Sequence, residues 1–166
     1  MATAARIEID LARQRLALYR PGGPVREWPV STARNGAGER LGSEQTPRGR
    51  HVIRARIGAG LPPGAVLVGR RPTGEIWTPE LGRTHPGRDW ILTRILWLSG
   101  LERGRNRLGD VDTMRRYIYI HGTPDDQPLG VPASHGCIRM RNADVLELFE
   151  LAPAGIEVLI HEGRPA

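Results

Sequence analysis

Apolar residues recur at every second position in a series of short runs, the pattern of strands buried on one face. Ile7 to Asp10 and Arg15 to Tyr19 alternate in this way, and the turn between them is expected near Arg13-Gln14. Trp28 to Ser31 reads as a third strand beyond the Pro21-Gly-Gly-Pro24 turn. His51 to Ile57 follows the turn Pro47-Arg-Gly49, and Ala65 to Gly69 is a short strand. Trp90 to Leu98 carries the strongest strand signal, and Ile156 to Ile160 predicts the last strand. One stretch changes period. Val145, Leu146, Leu148 and Phe149 fall at helical spacing and predict a helix over Ala143 to Leu151, capped by Asn142 and stopped by Pro153-Ala-Gly155. Asn35 to Ser43 and Ser99 to Asp112 are polar loops. Arg71 to Asp89 has no period and is rich in Pro and Gly. It predicts a long loop over a site, in which Trp77 and Trp90 either line a groove or anchor the loop.

Composition agrees with that pattern. The chain has 166 residues, enough for one domain, taken here as 1-166, with a single real core. With 14 prolines and 21 glycines it is expected to be mainly β. The net charge is +6, and all 24 basic residues are arginine. Such a surface attracts anionic partners, including peptides rich in carboxylates. A nucleic-acid-binding module is the rival from another class, but it predicts aromatic residues interleaved with the basic ones. The tryptophans instead sit in apolar surroundings, so no nucleic-acid partner is expected. A single cysteine rules out an internal disulfide. The longest apolar stretch, near Ile91 to Leu98, is interrupted by Arg94 and is too short to span a bilayer. The first ten residues lack the apolar run of a signal peptide. Read together, these features lead to the expectation of a cytoplasmic protein with no membrane partner; they leave the oligomeric state open.

The chemistry concentrates between Ile118 and Asn142. Ile118-Tyr119-Ile120 alternates into His121-Gly122-Thr123-Pro124. A Pro/Gly/Asp turn region then leads to Ser134-His135-Gly136-Cys137-Ile-Arg139-Met-Arg-Asn142. A thiol on a glycine-flanked turn beside an imidazole on a strand end is the layout of a cysteine nucleophile with its base. A free thiol titrates near about 8.5, so a partner must take its proton. Gly136 lets the backbone turn sharply, so that nearby N–H groups can face a developing oxyanion.

At these residues the chain resembles the L,D-transpeptidase (YkuD) catalytic domain family. The resemblance extends to Ile9 through Tyr19, to Pro29-Val-Ser-Thr32 and to Thr46-Pro-Arg-Gly49, and so covers about Ile7 to Ile160. It implies a curved mixed β-sheet or sandwich with one short helix after the cysteine. Cys137 becomes the nucleophile and His121 its base, oriented by the Gly122 backbone. The His135, Gly136 and Cys137 N–H groups form the oxyanion hole, and Ser134 shapes the site beside them. Tyr119 is counted with the residues that contact substrate. Arg139 stands where the commonly written family motif has Asn, so that contact does not carry over; an arginine there can pair with a substrate carboxylate.

The resemblance also implies a substrate, a peptidoglycan tetrapeptide stem or muropeptide, cleaved between diaminopimelate and D-Ala through a thioester. No cofactor or metal is implied. For a chain read as leaderless, the expected outcome is L,D-carboxypeptidase trimming of recycled muropeptides. The alternative is L,D-transpeptidase cross-linking or D-amino-acid exchange. Among other readings, zinc held by His121, His135 and Cys137 fits no common ligand spacing and lacks a fourth ligand. A structural reading makes Cys137 a small buried hydrophobe. His51, His85 and His161 lie outside the constellation and are expected to be structural or solvent-facing.

Overall fold

The computed structural model describes residues 4–163. Ten strands form one mixed sheet. They are β1 (Arg6–Asp10), β2 (Arg15–Tyr19), β3 (Arg26–Pro29), β4 (Gly49–Ile57), β5 (Ala65–Val68), β6 (Arg71–Ile76), β7 (Ile91–Gly100), β8 (Tyr119–Thr123), β9 (Ile138–Arg141) and β10 (Glu157–His161). Among the described residues, two α-helices accompany them, α1 (Pro79–Thr84) and α2 (Asn142–Leu151), with a short 3-10 turn at Gly109–Val111. The sheet runs β3-β2-β1-β10-β4-β7-β5-β6, and β8 and β9 branch from β7. β8 pairs with residues 92–97 of β7, so it occupies the edge of β7 opposite the one shared by β4 and β5.

The sheet curls back on itself. Just beyond β3, Ser31 exchanges both backbone hydrogen bonds with Arg139 of β9, at 2.9 and 2.8 Å. This brings the first hairpin to the branch that carries the cysteine. The alternating residues Ile7, Ile9, Leu16, Leu18, Ile53, Leu96, Leu98, Ile120 and Ile138 fill the enclosed space. α2 packs on β7, β8 and β9 and contributes Val145, Leu148 and Phe149 to the same core.

Two expectations are corrected. Arg71–Asp89 is not one long loop: Arg71–Ile76 forms β6, antiparallel to β5, and Pro79–Thr84 forms α1. β6 is an edge strand exposed almost throughout, so it has no apolar alternation to read, and an edge tolerates Pro72 and Gly74. α1 has a local signal, because Thr78 Oγ1 accepts the Leu81 N–H at 3.1 Å and Pro79 opens the first turn. The second correction concerns Asn142, which lies inside α2 and does not cap it; the cap position is Arg141, with no side-chain hydrogen bond. The Asn142 amide serves tertiary contacts instead. It accepts from Thr93 Oγ1 at 2.6 Å and donates to Thr123 O at 3.0 Å.

His51 is a structural residue. Its ring is buried and lies 3.0 Å from Gly49 O and 2.9 Å from Thr113 Oγ1. His85, on the exposed end of α1, meets the edge of Trp90, and His161 closes a turn by accepting the Gly163 N–H.

Candidate active site

The site is produced by the register of two parallel strands. β8 and β9 align Ile120 with Ile138 and His121 with Arg139. Side chains alternate between faces, so Ile120, Ile138 and Met140 enter the core. Tyr119, His121, Cys137 and Arg139 therefore share the opposite face. All four line one cavity of about 530 Å³, with Arg70, Arg116, Tyr117, Ser134 and His135 among the other residues of its wall.

The cysteine is held by backbone on both sides. Cys137 Sγ accepts the Tyr119 N–H and donates to Tyr117 O, each at 3.3 Å. Tyr117 reaches this position in the left-handed region, at φ 55°. Burial pushes the thiol up to about 12, against the opposing effect of the Tyr119 N–H. Burial likewise holds His121 below the ordinary imidazole range, although its hydrogen bond to Gly122 O favours the proton. The resting pair is therefore thiol and neutral imidazole.

The Gly122 carbonyl holds the His121 ring. His121 Nδ1 donates to Gly122 O at 2.6 Å in the neutral ring, which leaves Nε2 as the basic nitrogen. Gly122 is also a packing requirement, since a Cβ there would lie 2.4 Å from Asn142 Oδ1 and 2.7 Å from Leu92 O. β7 bulges between Leu92 and Ile95, and Thr93 takes φ 74°. Its hydroxyl then links Asn142 to the Gly64 N–H. This buried network ties the end of β8 to β7 and α2.

The turn before the cysteine is built by Ser134. Its Oγ donates to Cys137 O at 2.6 Å and accepts the Gly136 N–H at 3.2 Å. Gly136 sits at φ 136°, which favours glycine, and a Cβ there would press on Ile118 at 3.3 Å. One expectation is modified here: the Gly136 N–H is engaged within the turn. His135 turns outward, half-exposed, with Nδ1 3.8 Å from Glu44 Oε1.

Three partners were not singled out from sequence. Arg116 donates to Gln45 O at 2.6 Å and Gly38 O at 3.2 Å, and burial lowers it from the ordinary arginine range. Arg70 donates to Tyr119 Oη at 3.0 Å and stacks over Trp97. Asp89 pairs with Arg139 at 3.1 Å. Only the last had a sequence signal, as a carboxylate beside the strongest strand. Trp77 and Trp90 combine their two suggested roles. They pack with Val66 and Leu92, and they line an adjoining cavity of about 450 Å³. Among the described residues, no group of three or more His, Cys, Asp or Glu could hold a metal ion. No helix there is long and apolar enough to cross a membrane.

A curled mixed sheet that carries a histidine on β8 and a cysteine just ahead of the parallel strand β9 agrees with the L,D-transpeptidase class of proteins. The family model for the L,D-transpeptidase catalytic domain, YkuD, matches residues 4–160, and the chain belongs to that family. A Bacillus licheniformis protein named for the L,D-transpeptidase YkuD is 30% identical over 155 residues, covering 93% of this chain and 64% of that protein. The Escherichia coli protein YbiS, also named for the L,D-transpeptidases, is 46% identical over 94 residues, covering 49% of this chain and 31% of that protein. The chain thus spans less than two thirds of the length of these relatives. An L,D-transpeptidase structure from Xylanimonas cellulosilytica shares the fold at TM-score 0.55 and 22% identity, over 97% of this chain and 62% of that one. The Enterococcus faecium L,D-transpeptidase does so at TM-score 0.58 and 17% identity, over 96% and 50%.

Proposed function

We propose that this protein cleaves the bond between an L-configured centre and a terminal D-Ala in peptidoglycan tetrapeptide stems, through a thioester on Cys137. The observation that carries this reading is the β8–β9 register, with His121 and Cys137 on one face and in one cavity. Cys137 Sγ attacks the scissile carbonyl as His121 Nε2 takes the thiol proton. The negative oxygen is met by N–H groups of the His135-Gly136-Cys137 turn; Gly136 contributes once Ser134 releases it. His121 then delivers the proton to the departing D-Ala amine, and the thioester remains. Tyr119 and Arg139, in the cavity wall, contact the stem.

The thioester has two fates. Release to water makes the protein an L,D-carboxypeptidase, the reading that goes with a cytoplasmic role in muropeptide recycling. Transfer to the amine of a second stem makes it a transpeptidase. One observation favours transfer: the second cavity adjoins the first and shares Asp89, His135 and Arg139 with it, so there is room for an acceptor. The test is mass spectrometry of a disaccharide tetrapeptide incubated with the protein and with Cys137→Ala. Loss of one D-Ala without dimer supports hydrolysis, and a dimer or exchange of added D-amino acid supports transfer. If neither product forms, or if Cys137→Ala remains active, the reading is wrong.

A further inference from the structure

The two cavities meet at an ion pair, Asp89 with Arg139. Asp89, on the segment between α1 and β7, places Oδ1 3.1 Å from Arg139 Nη2. Its partner is unequal in burial: the Arg139 side chain is 9% exposed and that of Asp89 48%. A guanidinium so enclosed is costly to leave without a counter-charge. A carboxylate half in water gains little from its pair and leaves it readily. Arg139 therefore needs a carboxylate, but not this one.

Position gives that carboxylate slot a meaning. Arg139 is two residues from Cys137 on the same face of β9, and it is in register with His121. The next residue on that face of β8, Thr123, is buried, and its Oγ1 has no hydrogen-bond partner. It lines the second cavity together with Arg139 and Asp89.

We propose that Arg139 is the receptor for a free carboxylate next to the scissile bond, and that Asp89 occupies the receptor until substrate arrives. This rests on the acyl-transfer reading above and adds its selectivity. The carboxylate is that of the terminal D-residue, one residue beyond the carbonyl that Cys137 attacks. Exchange of one carboxylate for another keeps Arg139 paired throughout, and it frees Asp89 to swing toward solvent and join the two cavities. Stems whose terminal carboxylate is masked or displaced by a further residue lack the group that removes Asp89.

The test compares two readouts. The first needs no peptide: the rate of Cys137 alkylation by iodoacetate divided by that by iodoacetamide. The ratio cancels the thiolate fraction and reports the cationic receptor. Asp89→Asn is expected to raise it about tenfold, and Arg139→Gln to lower it about tenfold, the scale of one charge-assisted hydrogen bond. The second readout is kcat/KM for a tetrapeptide and for its C-terminal carboxamide. The protein and Asp89→Asn should prefer the acid by about tenfold or more, and Arg139→Gln should lose the preference. A ratio unmoved by Asp89→Asn, an exposed change that spares the core, overturns the inference even if both peptides are cleaved. Equal cleavage of acid and carboxamide overturns it as well. Shifted alkylation ratios with no cleavage of either peptide would uphold the receptor and overturn the acyl-transfer reading.

Discussion

Gly122→Ala isolates the geometry that aims His121. The added Cβ would lie 2.7 Å from Leu92 O, a backbone atom that cannot rotate away, and 3.2 Å from Thr93 Cβ. Relief to an ordinary contact of 3.4 Å requires β7 and β8 to part by about 0.7 Å, the difference between those two separations. The third contact, Asn142 Oδ1 at 2.4 Å, can move only by giving up its hydrogen bond from Thr93. Overpacking of this kind costs about 1–3 kcal/mol. In a chain of this size each kcal/mol lowers Tm by about 2–4 °C, so a fall of about 2–12 °C is expected in calorimetry. Catalysis should suffer more, because Gly122 O holds the His121 ring and a misplacement near 1 Å costs about 100-fold. A loss of one to two orders of magnitude in kcat/KM is expected, with iodoacetamide alkylation of Cys137 changed by less than about threefold. A variant with unchanged Tm and activity within twofold of the parent would refute the account of Gly122 as a packing requirement.

Further outcomes follow from single groups. His121→Gln should abolish turnover; retained turnover in the mass-spectrometric assay would remove the imidazole from the mechanism. Because burial pushes the Cys137 thiol up to about 12, iodoacetamide alkylation should rise about tenfold per pH unit through pH 9, and a plateau near pH 7 would contradict that. His51 is held down to about 4 by burial, below its unfolded value of about 6.5. The unfolded chain therefore binds the proton first as pH falls. Stability should be full above about pH 6.5 and decline by about 3 kcal/mol on acidification to about pH 4. Urea unfolding of His51→Gln beside the parent checks this, since the variant should lose most of that slope. Asn142→Ala removes the acceptor for Thr93 Oγ1 and should cost about 1–3 kcal/mol in the same experiment.

The strands of the core were legible because each is buried on one face. Ile7 and Ile9, Leu16 and Leu18, and Val158 and Ile160 point inward at every second residue, and the chain carries that alternation openly. β6 was not legible because both its faces meet solvent, and α1 was hidden by its six-residue length, with no buried side chain. Asn142 misled for a definite reason. Its place before an apolar helical run matches a cap, but Thr93 and Thr123, distant in sequence, compete for its amide and take it.

For the site, the amino-acid sequence by itself determined the candidate groups: a lone thiol, an imidazole at the end of an alternating run, and a glycine where the chain must turn. Their order along the chain carried the family. Tertiary structure alone decided how those groups meet. The parallel register of β8 and β9 puts Cys137, His121, Tyr119 and Arg139 on one face. Burial sets the resting protonation of the thiol and the imidazole. The curl of the sheet clamps Arg139 between Ser31 and Asp89. Residue identity is local, whereas register, burial and charge pairing depend on segments far apart in the chain, and only folding brings those segments to one place.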